Sequence, residues 1–350
     1  MEKFNVFSHI AERTGGSIYV GVVGPVRTGK STFIKRFMDL CVMPNISDVY
    51  LKERTRDELP QSGAGRTITT TEPKFVPDEP VEILFEENTR ARIRLVDCVG
   101  YTVASAKGYL DDEEPRLVRT PWFEHAIPFQ EAAELGTRKV ISEHSTIGLV
   151  VTTDGSISDL PRSDYEEPER RVIQELQELG KPFVVVINSM HPQSPETEAL
   201  AEGLRAEFGV TATALDCLRM TKDDLLALFH QVLMEFPIRE FNVRFPKWVE
   251  ELEKDHWLRR NYEEMAWESV VGLKRVKDVK EIALVNFRES EYVQMVTLAD
   301  LDLGVGKATL DITVFNKLFY EVLAEMTGLE VEGDHHLMRL MHDLSIAKKE

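Results

Sequence analysis

The chain has 350 residues, 43% hydrophobic and 29% charged, with a formal net charge of −18, which is enough for two domains with separate cores. The carboxylate surplus and the lack of a basic block argue against a protein whose main task is holding nucleic acid, because neutralising phosphates takes clustered Lys and Arg. Cys41, Cys98 and Cys217 are isolated in or beside apolar segments and read as reduced core residues; with no secretory signal and no apolar run long enough to span a bilayer, this suits a cytoplasmic protein.

In chain order, Ser17 to Val23 predicts a strand and the pattern from about 30 to 41 a helix. The connection reads Gly24-Pro25-Val26-Arg27-Thr28-Gly29-Lys30-Ser31, followed by Thr32, a complete phosphate-binding loop. Gly24 and Gly29 let the backbone bend so that consecutive N–H groups face phosphate oxygens beside the positive end of the helix. Lys30 is placed to reach β/γ-phosphates and Ser31 to bind Mg²⁺, so the expected ligand is a nucleoside triphosphate with Mg²⁺.

The polar stretch Arg66 to Pro73 contains Thr70 and Thr71. A hydroxyl there could coordinate Mg²⁺ only while the γ-phosphate is present, coupling hydrolysis to movement, although a threonine-rich edge strand also fits. Val81 to Phe85 predicts an edge strand. Arg92 to Val96 predicts a buried strand ending in Asp97, which can orient a Mg²⁺ water, with Gly100 three residues later to approach the γ-phosphate. Tyr101 stands where regulatory GTPases carry a water-positioning glutamine, so another group must steady the developing charge. Arg27 is the candidate, against a solvent-exposed or ion-paired role.

The Pro-rich stretch from about 101 to 130 reads as a long insertion. Helical patterns at about 130 to 143, 163 to 179, 196 to 207 and 222 to 235 then alternate with strand-like runs at Thr146 to Val151, Phe183 to Ile187 and Val210 to Ala214. This predicts a mostly parallel α/β sheet over residues 1–236. After the strand Phe183 to Ile187 comes Asn188-Ser189-Met190-His191 in place of the Asn-Lys-x-Asp of a guanine reader. The carboxylate that would accept from guanine is missing, which favours ATP, with Asn188 kept in the nucleotide-binding set. A GTP switch would need another acceptor, such as Asp216.

Prolines at 237 and 246 mark a boundary, and a smaller α+β domain is expected over 237–350. Lys247 to Lys277 reads as helical, Val279 to Ala299 as extended, Gly304 to Gly306 as a hairpin turn, Ala308 to Val314 as a strand and Asn316 to Met326 as a helix. Trp248, Trp257 and Trp267 are spaced for one helical stripe, suited to core or partner packing. The pattern from His335 to Lys349 is still helical where the sequence stops, which suggests a longer protein.

The loop around Arg27 resembles that of guanylate-binding proteins and atlastins, in which the loop arginine acts as an internal finger once subunits associate. The chain as a whole resembles the stage IV sporulation protein A family of endospore-forming bacteria. The resemblance is carried by Ile10 to Gly16, Gly21 to Gly24, Val26 to Ile34, Asp57 to Ser62, Thr70 to Pro77 and Arg94 to Val103. It implies a P-loop NTPase fold related to the translation-factor GTPases, with ATP hydrolysis coupled to assembly into static polymers around the developing spore. By position, Lys30 falls on the family's phosphate-loop lysine, Asp97 on its Walker B acid, and Thr70 and Thr71 on its sensor threonines. The full-length family continues into a domain linked to a small amphipathic membrane-anchoring peptide and other coat proteins at the forespore surface, in the mother-cell cytoplasm.

Overall fold

The computed structural model describes residues 6–60, 73–84, 90–103, 105, 110–111, 114–118 and 125–348. Thr70 and Thr71 lie outside them. The chain divides into two units, Met1–Phe236 and Pro237–Glu350.

The first unit is built on six strands: β1 (Ser17–Val23), β2 (Lys74–Leu84), β3 (Arg90–Asp97), β4 (Ile147–Thr153), β5 (Phe183–Asn188) and β6 (Ala212–Leu215). Their spatial order is β6-β5-β4-β1-β3-β2, parallel throughout except that β2 runs antiparallel to β3 at the edge. Every residue of β4 and β5 is buried, as expected when helices cover both faces of a parallel sheet. The helices are α1 (Val6–Arg13), α2 (Lys30–Phe37), α3 (Val49–Asp57), α4 (Phe129–His144), α5 (Glu166–Leu179), α6 (Pro195–Phe208) and α7 (Lys222–Met234).

Alternate residues along each strand point to opposite faces. Val150, Val185 and Ile187 pack with Val140, Ile141, Val172, Ile173 and Leu176 from α4 and α5. Phe7, Phe37 and Phe229 form a separate aromatic cluster where α1, α2 and α7 meet, with centroids of 5.3 Å from Phe229 to each of the other two. Thus α2, which begins in the glycine loop, is anchored at its far end by three mutually packed rings.

Several boundaries differ from the sequence reading. The predicted Val81 to Phe85 covers only the second half of β2, which begins at Lys74 and is interrupted by a register shift between Val76 and Val81; the proline at 77 obscured the pattern. Helix α2 ends at Phe37 and passes into a π-helical turn, Met38–Val42. The 101–130 segment contains two small antiparallel ladders, Leu110–Asp111 with Glu114–Pro115 and Leu117–Val118 with Ile127–Pro128. Its Val103, Val118 and Ile127 bury against Val26 of the glycine loop together with Phe129 and Tyr165.

The second unit has a three-stranded sheet, β7 (Glu240–Arg244), β8 (Met295–Asp302) and β9 (Lys307–Thr313), in the order β7-β9-β8. Strands β8 and β9 form the predicted hairpin around Gly304 to Gly306, with Gly306 at φ 83. Helices α8 (Trp257–Gly272) and α9 (Asn316–Thr327) pack on the core that includes this sheet, and α10 (Asp334–Ala347), which buries none of its residues, follows.

One strand is added to those predicted for this unit, and two expectations are corrected. The stretch between prolines 237 and 246 holds β7, which pairs parallel to β9. The stretch Val279 to Ala299 is not extended throughout: Val279–Ala283 and Leu284–Arg288 are helical. Val279, Ala283, Leu284 and Phe287 are buried at helical spacing, so period 3.6 governs that half. The tryptophans do not form one stripe, because the helical region is broken after Glu250. Trp248 packs edge-on against Phe319, whereas Trp267 on α8 is 71% exposed.

Replacing Phe37 with Ala empties the aromatic cluster and should lower unfolding free energy by about 3–5 kcal/mol. Denaturant titration followed by circular dichroism measures this; a loss below about 1 kcal/mol would mean the cluster does not anchor α2.

Candidate nucleotide site

The parallel register of β1 and β3 sets Val22 beside Asp97, so both strands end at the same edge of the sheet. Ligands of open α/β sheets bind outside the carboxyl ends of the strands. The loop from Gly24 to Gly29 leaves β1 at that edge and enters α2. Its backbone includes three positive φ angles: Gly24 at 138, Arg27 at 64 and Gly29 at 91. A Cβ on Gly24 would lie 2.1 Å from the Val151 carbonyl oxygen, and one on Gly29 would lie 2.2 Å from Asn188 Nδ2. Glycine is therefore required at both places for space as well as for conformation.

The loop is closed from two sides. Val26 N–H donates to the Tyr101 carbonyl at 2.8 Å and Tyr101 N–H donates to the Gly24 carbonyl at 3.2 Å. Opposite, Asn188 Nδ2 donates to the Thr28 carbonyl at 3.0 Å, while Asn188 Oδ1 accepts from Cys217 N–H at 3.0 Å. Asn188 thus braces the loop, with both ends of its amide engaged inside the protein. Thr28 is buried and its hydroxyl donates to the Pro25 carbonyl at 3.0 Å.

Within this ring, Lys30 Nζ donates to the carbonyls of Pro25 at 2.7 Å and Gly24 at 3.2 Å. Its side chain is buried. Burial pushes the ammonium down to about 8, against the opposing pull of Asp97 and Cys98. Asp97 is pushed above the ordinary carboxylate range, again by burial first, opposed by the Ser31 hydrogen bond and by the charges of Lys30 and Lys74. Both groups would be relieved by an added charge partner. Ser31 Oγ donates to Asp97 Oδ2 at 2.6 Å, so the serine hydroxyl from α2 and the carboxylate from β3 meet at one point.

Gly100 has φ 92, and a Cβ there would approach Lys30 Nζ to 2.5 Å and the Gly24 carbonyl to 2.8 Å. The space over the lysine is therefore kept open by the absence of a side chain. A buried ammonium, a glycine cradle and two adjacent oxygen donors fit a triphosphate with Mg²⁺, a hard cation that takes oxygen ligands.

Of the sequence-selected residues, Gly24, Pro25, Val26, Arg27, Thr28, Gly29, Lys30, Ser31, Asp97, Gly100 and Asn188 come together at this edge, and Thr32 follows on the first turn of α2. Arg27 is half-buried, and its positive charge is felt at the Tyr165 hydroxyl. The Tyr101 side chain points into the core, 2% exposed, where its hydroxyl donates to Glu175 Oε2 at 2.5 Å. Tyr101 therefore contributes through its backbone. Asp216 Oδ1 accepts from the N–H groups of Leu218 and Arg219 at 3.0 and 3.1 Å, a capping arrangement within its own turn.

Sequence reading missed a second polar centre beside Asn188. Asp154, just past β4, accepts from Ser156 N–H and Ser156 Oγ at 2.9 and 2.6 Å. It also accepts from Ser189 Oγ at 2.6 Å and Thr197 Oγ1 at 3.1 Å. An Asp-x-Ser pair following a wholly apolar strand was the available local signal.

A family model described as "Stage IV sporulation protein A, ATPase domain" matches residues 1–237, and one described as the middle domain of the same protein matches 238–350. The chain is 51% identical over 350 residues to stage IV sporulation protein A of Bacillus subtilis (strain 168), covering 100% of this chain and 71% of that protein. It is 44% identical over 346 residues to that of Clostridioides difficile (strain 630), covering 99% and 70%. Among solved structures, a probable GTP-binding protein engB is similar at 14% identity and TM-score 0.35, covering 61% of this chain and 97% of that one. Translation elongation factor SelB from Methanococcus maripaludis is similar at 15% identity and TM-score 0.30, covering 62% and 33%. With both units matched from end to end, the chain belongs to the stage IV sporulation protein A family.

Proposed function

We propose that the chain is a Mg²⁺-dependent ATPase whose hydrolysis drives self-assembly into a static polymer of the spore coat's basement layer. The observation that carries the nucleotide part is the convergence of buried Lys30 with the Ser31–Asp97 contact inside a glycine cradle. Lys30 would hold the phosphates, and Ser31 and Asp97 would hold the metal, with a hydroxyl of Thr70 completing its ligands. Bound Mg²⁺ would supply charge neutralisation to the phosphates. Thr70 and Thr71 would report the γ-phosphate to the assembling surface, and Arg27, on a backbone held in the left-handed region, would steady charge developing there.

Support for ATP over GTP comes from the segment after β5. Ser189 is buried where a guanine reader carries lysine, and His191 stands where it carries a carboxylate. In Asp216, the alternative acceptor, Oδ1 already takes two N–H groups of its own turn. Assembly, the mother-cell location at the forespore surface, and partnership with an amphipathic membrane-anchoring peptide and other coat proteins are carried over from the family resemblance. Among the described residues, no helix is long and apolar enough to cross a membrane.

Light scattering and sedimentation of the purified protein should show assembly with Mg·ATP and none with a non-hydrolysable ATP analogue or GTP. Equal assembly with the analogue would favour a scaffold that needs nucleotide only for its fold. Lys30→Ala should weaken ATP binding by about 10²-fold or more, as loss of a buried charge-assisted contact predicts; unchanged affinity by calorimetry would remove the lysine from the site. Arg27→Ala should lower kcat by about 10³-fold while changing ATP affinity only a few-fold. A fall in affinity with kcat retained would make Arg27 a binding residue instead.

The lysine also predicts a pH dependence. Bound phosphate raises its pKa, so below about 8 the free protein already carries the required proton, whereas above that value binding must take one up. As far as the lysine sets it, ATP affinity should be level just below about pH 8 and fall about tenfold per unit above it. An affinity level through pH 9.5 would contradict the lysine's depressed pKa.

A further inference from the structure

Asp154 lies outside the phosphate cradle, yet its contacts reach the segment that follows Asn188. Its carboxylate is surrounded by four donors, two from Ser156 and one each from Ser189 and Thr197. Because an ionised carboxylate only accepts, it fixes the direction of both serine hydroxyls. The Ser156 hydroxyl gives its proton to Asp154 and presents a lone pair to Met190 N–H at 2.9 Å. The Ser189 hydroxyl does the same for His191 N–H at 2.8 Å. One carboxylate thereby sets the backbone of Met190 and His191 through two relays.

The result is visible in exposure. Ser189 is fully buried, with its N–H also held by the Leu215 carbonyl at 3.0 Å, while the Met190 side chain is turned out, 52% exposed. Burial of Asp154 works against its ionisation, but the bonds from Ser156, Ser189 and Thr197 outweigh it and hold the carboxyl below its ordinary range. It is therefore charged, and an acceptor, at neutral pH. Asn188, one residue before Ser189, is the brace of the phosphate loop, so the carboxylate's relays and the phosphate cradle meet at consecutive residues.

We propose that Asp154 is a positioning residue for nucleotide recognition: acting through Ser156 and Ser189, it holds the Met190–His191 backbone as the surface that receives the nucleoside end of the bound triphosphate. This rests on the nucleotide reading of the site above. It predicts that losing the carboxylate weakens recognition of the nucleoside while leaving recognition of the phosphates intact.

The test compares Mg·ATP with inorganic Mg·tripolyphosphate, which has the phosphates without the nucleoside, by calorimetry on the wild-type chain, Asp154→Ala and Ser156→Ala. Asp154→Ala should weaken ATP binding by about tenfold or more while tripolyphosphate binding stays within about twofold; Ser156→Ala, which removes only the Met190 relay, should shift ATP in the same direction by less. At saturating ATP, kcat should be retained while KM rises. Equal loss of both ligands, or an ATP affinity unchanged in both variants, overturns the positioning role. If Asp154→Ala does not fold, Ser156→Ala decides by the same two ligands. Failure of the wild-type chain to bind either ligand would instead sink the nucleotide reading itself.

Discussion

A lysine ammonium withdrawn from water must be compensated, and around Lys30 that requirement shapes the whole edge of the sheet. Its compensation comes from the carbonyls of Gly24 and Pro25 and from the nearby Asp97 carboxylate. The carbonyls can converge only if the loop curls tightly, and the curl is possible only with glycine at 24 and 29. A charge held this way is poorly satisfied by neutral dipoles alone, and the lowered pKa of the lysine expresses that shortage. The arrangement is a receptor for negative charge before any ligand is considered.

Around the lysine, two braces keep the loop from relaxing. On one side the Tyr101 backbone joins it through its N–H and carbonyl groups, and on the other Asn188 ties it to the turn after β6. The braces come from strands β3 and β5, on either side of β1 and β4 in the sheet order. Strand register and the loop's own glycines therefore set its shape together. Tyr101 shows how a bulky residue beside the loop can be accommodated: its side chain turns away to Glu175, and its backbone remains as part of the frame.

Much of this was legible from residue types alone. The glycines, Lys30 and Ser31 stand at a spacing that physical chemistry ties to phosphate, and the wholly buried β4 and β5 were visible as uninterrupted apolar runs. Less legible were segments where two periods or a proline compete. The start of β2 was hidden by prolines, β7 lay in a stretch read only as a domain boundary, and the helical half of the segment after Val279 was mistaken for strand because its β-branched residues outweighed its spacing. Propensity is a weak guide where burial decides.

The residues by themselves determined the ligand class, the parallel sheet and the loss of a guanine acceptor after β5, because each depends on chemical identity at short spacing. Only the tertiary structure decided that Asn188 braces the loop, that Tyr101 turns away, and that Asp154 governs residues 35 positions along the chain. These are matters of which strand ends lie side by side, and hydrogen bonds between distant loops leave no periodicity in the chain that forms them.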